Sequence, residues 1–225
     1  MAARVGSSGR KTFNFYRLGS FLVVLLVSLA LWRTPVLYPL KIFVVFIHET
    51  GHALTAVLSG GQVLEMVVTP WESGYVKYRG GMPLLVAAAG YVGSATFGSV
   101  MLLLAGREAW AGTVFGALAI LFGGVTLAFV RNGFGMIFGL GTAAVFAALA
   151  WKRFPGAHYI IDILAVMSTL YALYDLSDFL LIGAETDAVI LARMTSIPAF
   201  VWALLWSLVS VVAVCLAGRR ALSRK

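Results

Sequence analysis

His48, Glu49 and His52 form an H-E-x-x-H run. Residues four apart on an α-helix share a face, so this spacing aims both imidazoles at one point and suits them to hold a zinc ion. Glu49 lies on the adjacent turn, where its carboxylate can take a proton from a water activated by the ion. The chemistry implied is hydrolysis, with Glu49 catalytic and His48 and His52 as metal ligands. A catalytic zinc usually keeps three protein ligands and an open fourth position, so one more ligand must come from elsewhere in the chain.

The flanks of the motif are apolar: Ile-Phe-Val-Val-Phe-Ile over 42–47 and Ala-Leu-Thr-Ala-Val-Leu over 53–58. Ionisable side chains inside such a helix are costly in lipid and point to function. The whole chain agrees with a membrane setting. Of its 225 residues 61% are hydrophobic and 12% charged, where a soluble domain has about 25% charged residues. The mean hydropathy is +0.95. The expected architecture is an all-α polytopic membrane protein of six or seven spans, forming one embedded domain over 1–225 with no separate soluble domain.

The net charge of +8 gathers at the ends, with Arg4, Arg10, Lys11 and Arg17 at the start and Arg219, Arg220, Arg224 and Lys225 at the finish. In so apolar a chain these clusters read as topology signals and contacts with anionic lipid, and no nucleic-acid partner is expected. They make 1–17 a cytoplasmic N-terminus and 218–225 a basic tail, in a multi-pass protein expected in the cell membrane. The single Cys215 excludes an intramolecular disulfide framework and a cysteine metal site.

Spans are expected near 15–32, 36–58, 83–105, 110–130, 134–151, 158–182 and 197–217. Between the second and third, 62–80 carries two short β-rich stretches around Pro70-Trp71-Glu72-Ser73-Gly74, which predicts a membrane-associated hairpin. Residues 183–197, with Glu185 and Asp187, read as a polar loop.

With a cytoplasmic N-terminus, spans two and six run in the same direction. Asp175 and Asp178 lie about two-thirds of the way along span six, toward the side of His52, and depth favours this pair for the third ligand. Asp175 is the expected ligand, with Asp178 as the alternative or as a supporting neighbour. His158 falls at the membrane border and reads as an interfacial histidine, paired with Asp162 four residues on.

An H-E-x-x-H in a membrane helix, a hairpin close behind it and an aspartate on a later helix resemble the site-2 protease family of intramembrane zinc metallopeptidases. The stretch from His48 to Pro70 is similar to a compact branch of that family without a PDZ domain, as are Tyr174 to Asp178 and Asp187-Ala188 through Pro198 and Trp202. The chain departs from well-studied members in having no Asp-Gly pair for the third ligand. The resemblance implies zinc as cofactor, a transmembrane protein as substrate and regulated intramembrane proteolysis as the activity. Two other readings remain open at this point: a divalent-metal-binding membrane transporter using the same histidines, and a catalytically inactive scaffold.

Overall fold

A computed structural model describes residues 15–105, 108–152, 155–178 and 186–222. Eight α-helices are found among them: α1 (Phe15–Leu31), α2 (Tyr38–Leu58), α3 (Pro83–Ala105), α4 (Ala111–Phe129), α5 (Gly133–Lys152), α6 (Ala157–Asp178), α7 (Asp187–Thr195) and α8 (Ala199–Leu222). Strands β1 (Gln62–Val68) and β2 (Gly74–Arg79) pair antiparallel between α2 and α3. The architecture is therefore mostly α-helical with one small sheet, as the composition and the β-rich stretches after the second span predict. Five segments are long and apolar enough to cross a membrane: Pro35–Leu58, Pro83–Leu104, Glu108–Phe129, Gly133–Lys152 and Ala199–Arg220. Shorter apolar stretches, Leu18–Leu31 and Ala157–Leu170, lie in α1 and α6. Arg4, Arg10, Lys11, Arg224 and Lys225 fall outside the described residues.

The central element is α2. Two-thirds of its span is buried, against 17% for α5, which identifies α2 as the helix the others pack around. A proline near its start suits a first turn that needs no amide donor. Gly60, in the left-handed region at φ +86°, ends it. Phe43 and Phe46 of α2 both stack on Phe122 of α4, with ring centroids 5.2 and 4.3 Å apart, and Phe146 of α5 meets the edge of Phe122. On the other side α3 comes very close. A β-carbon at Gly51 would lie 2.5 Å from the carbonyl oxygen of Ala89, so only glycine permits this approach.

The hairpin forms over the expected residues and runs back along α2. Its base is tied to the end of that helix, where the Met82 amide donates to Ser59 Oγ at 3.0 Å. Its tip reaches the opposite end. There the Tyr38 hydroxyl donates to the Pro70 carbonyl at 2.9 Å, and Lys41 Nζ contacts both Glu72 carboxylate oxygens at 3.0 and 3.1 Å. Polar backbone at this depth requires partners. The outer edge of β1 finds them at the junction of α4 and α5. The Arg131 amide donates to the Met66 carbonyl, and the Asn132 side chain both accepts from the Val68 amide and donates to its carbonyl. Among the described residues β2 pairs only with β1.

The polar segment expected as a loop over 183–197 contains a helix. Thr186 caps α7, its hydroxyl accepting from the Val189 amide, and Asp187 opens the first turn. Ala188 and Leu191 of α7 are buried in a small second core with Ala87 and Tyr91 of α3 and Ala203 and Trp206 of α8. This core fixes where Asp187 stands.

Candidate metal centre

His48, Glu49 and His52 are all buried near the middle of α2. Glu49 lies eleven residues into a helix rising 1.5 Å per residue, hence about 16 Å from its start. The two imidazoles meet at 4.8 Å between ring centroids. His52 Nδ1 lies 2.6 Å from the Val86 carbonyl of α3. That acceptor requires a proton on Nδ1, which leaves Nε2 to face the site, where it could hold an ion. His48 is bordered by Tyr91, whose ring meets it edge-on at 5.1 Å and itself stacks on Trp206 at 4.5 Å.

The carboxylate that completes the group belongs to Asp187. Its Oδ2 lies 3.1 Å from His48 Nε2 and 3.2 Å from His52 Nε2. Burial pushes the Asp187 carboxyl up, but its hydrogen bonds to the two imidazoles and their charges prevail and hold it below the usual carboxylate range. Asp175 and Asp178 are on the last turns of α6, and their side chains lie outside the described residues. The sequence signal for Asp187 is the capping pattern of Thr186-Asp187 ahead of Ala188-Val189-Ile190-Leu191. His158, at the start of α6, and the buried Asp162 are not among the residues lining this site.

The three ligand atoms fit a zinc ion. Bonds of about 2.0–2.1 Å arranged tetrahedrally place neighbouring ligand atoms about 3.3 Å apart, close to the 3.1 and 3.2 Å from Asp187 to the two histidines, and all three ligand atoms lie within 4.8 Å of one another. The floor of the site is Gly90. A β-carbon there would lie 2.5 Å from His52 Nε2 and nearer still to His48 Nε2, so the missing side chain leaves the space between both nitrogens clear.

The site opens into a cavity of about 520 Å³ lined by the motif residues, Asp187, Thr186, Tyr91 and the hairpin. The inward face of β2 forms its wall. Gly74 lies so near Glu49 that a β-carbon there would be 2.8 Å from Glu49 Cγ. The site therefore combines a buried carboxylate, three atoms that could hold a metal ion and a strand of the hairpin in one chamber.

A family model described as Peptidase M50B-like matches residues 21–217, nearly the whole chain. The chain belongs to this family, among the site-2 proteases. No curated protein and no solved structure gave a match. Family membership and the five long apolar helices together make this site-2 protease relative a membrane-embedded protein with a metallopeptidase-like site.

Proposed function

We propose that this M50B-like chain is an intramembrane zinc endopeptidase that cleaves peptide bonds within or near transmembrane segments of other membrane proteins. The observation that carries the reading is the meeting of Asp187 with His48 and His52 beside Glu49, about halfway along a buried membrane helix. His48, His52 and Asp187 would hold the ion, so the third ligand is Asp187 in place of Asp175.

A bound zinc ion supplies a Lewis acid and lowers the pKa of a coordinated water toward neutrality. Glu49 accepts the proton that the water loses as it attacks the scissile carbonyl carbon, then delivers it to the leaving nitrogen as the C–N bond breaks. The buried carboxylate of Asp187, anchored by α7, keeps the imidazoles in place throughout. The substrate must present extended backbone, because a helix hides its peptide groups. Here β2 supports the reading: β1 is paired on both sides, by β2 and by the Val130–Asn132 region, and among the described residues the other edge of β2 is left for an added strand. Membrane lipid and a transmembrane substrate are the partners this reading requires, and the basic N-terminus would face the cytoplasm of a cell-membrane protein.

The test uses purified chain in lipid vesicles with single-span substrates, scored by mass spectrometry for new termini inside the span. Cleavage by the wild-type chain and its loss in Glu49→Gln at equal zinc content supports the proposal. Equal cleavage by Glu49→Gln contradicts it, and zinc flux across the vesicle without cleavage favours transport.

A further inference from the structure

Peptide hydrolysis develops negative charge on the carbonyl oxygen, and donors aimed at that charge contribute strongly to the rate. The described residues lining the cavity include no lysine, no arginine and no histidine beyond His48 and His52. Any further donor from a side chain in that lining must be a hydroxyl. Five are available: Ser73, Tyr75, Tyr78, Tyr91 and Thr186.

Two of these are engaged within the hairpin, and two hold the walls of the site in place. Ser73 Oγ bonds Thr69 Oγ1 within the hairpin turn at 2.7 Å. The Tyr75 side chain is half exposed, and its hydroxyl donates to Glu65 Oε1 on the outward side of the sheet. The ring of Tyr91 is sandwiched between His48 and Trp206. Thr186 caps α7.

Tyr78 differs. Exposure alternates along β2, so Gly74, Val76 and Tyr78 share the less exposed face. Gly74 on that face abuts Glu49. Tyr78 is four residues further along, about 13 Å at 3.3 Å per residue, and it lines the same cavity. Burial and the nearby charge of Asp187 both push the Tyr78 hydroxyl up, so it keeps its proton at neutral pH. Glu49 and Tyr78 thus meet one strand face near its two ends, and both line the cavity that holds His48, His52 and Asp187.

We propose that the Tyr78 hydroxyl donates a hydrogen bond to the oxyanion that forms when water adds to the scissile carbonyl. The proposal rests on the peptidase reading above. In this step the water oxygen bonds to the carbonyl carbon, the C=O π pair moves onto oxygen, and Glu49 takes the water proton. Tyr78 stabilises the oxyanion without giving up its own proton. As the C–N bond breaks the oxygen pair re-forms the carbonyl, and Glu49 protonates the amine.

The experiment compares wild type, Tyr78→Phe, Glu49→Gln and a chain carrying 3-fluorotyrosine at position 78, all zinc-loaded in vesicles, on a single-span peptide that the wild type cleaves. Tyr78→Phe should keep full zinc content and KM while kcat falls about 10²–10³-fold, the usual loss for one oxyanion donor. Affinity for a phosphinic peptide, which carries a tetrahedral anionic oxygen at the scissile position, should fall with kcat. The fluorinated tyrosine keeps the hydroxyl and should retain activity. Unchanged kcat in Tyr78→Phe, or a loss that follows KM or zinc content instead of inhibitor affinity, overturns the role of Tyr78 and leaves the peptidase reading intact. Cleavage by Glu49→Gln at the wild-type rate instead overturns the peptidase reading itself.

Discussion

The Asp187 carboxylate lies 3.1 Å from His48 although 139 positions separate them in sequence. Nothing local to either residue brings them together. Asp187 opens α7, and α7 is held by Ala188 and Leu191 against Tyr91 and Trp206. The same Tyr91 ring borders His48, so one small core supports both sides of the metal group.

Gly90→Ala is predicted to remove the metal while preserving the fold. Alanine is better than glycine inside a helix by about 1 kcal/mol, so the secondary structure should not suffer. Its methyl group, however, would sit between His48 Nε2 and His52 Nε2. Circular dichroism should be unchanged and bound zinc should fall to background. Full zinc in a folded Gly90→Ala chain would contradict the geometry of the site.

Asn132→Ala is predicted to loosen the hairpin. The Asn132 side chain makes two hydrogen bonds to the Val68 backbone, each worth about 0.5–1.5 kcal/mol net. Hydrogen exchange of the β1 amides should accelerate while zinc stays bound, since the three ligand atoms lie on α2 and α7. The measured KM for a cleaved peptide should rise if β2 receives the substrate strand.

Chelation is predicted to abolish cleavage reversibly and to lower thermal stability. A ligand present at 100 times its Kd contributes about 2.7 kcal/mol to the folded state. Removing zinc should therefore lower the Tm, and added zinc should restore both Tm and cleavage. A Tm independent of zinc would mean that the group does not hold the ion.

Lys41→Met is predicted to free the hairpin tip. The pair with Glu72 is partly buried, with Lys41 at 12% exposure, so loss of the cation leaves a carboxylate facing the cavity without its partner. Proteolysis at Trp71-Glu72 should become faster in Lys41→Met than in the wild type. The double change Lys41→Met with Glu72→Gln should recover much of the resistance.

The parts of this fold that depend on neighbours in sequence are legible there. The i, i+4 spacing of His48 and His52 and the β-rich stretches around Pro70 to Gly74 are local patterns, and both elements form as the patterns predict. The depth argument that points to Asp175 looks for ligands only on spanning helices, and so passes over Asp187 on a short one. A nine-residue helix is too short to register as apolar periodicity, so 183–197 reads as loop. Yet the capping pair Thr186-Asp187 marks its start. The role of Gly90 is hidden for a different reason. Among the small residues of α3 it looks like one more packing position, and only the approach of α2 at Gly51 makes it the floor of the site.

The central claim is that Asp187 completes the metal group with His48 and His52. Its most direct test is zinc stoichiometry, measured by elemental analysis, in folded Asp187→Ala, Asp175→Ala and Asp178→Ala chains purified side by side. The account predicts that Asp187→Ala loses bound zinc while the other two retain the wild-type content. Retention of zinc by Asp187→Ala with loss in Asp175→Ala or Asp178→Ala would contradict it.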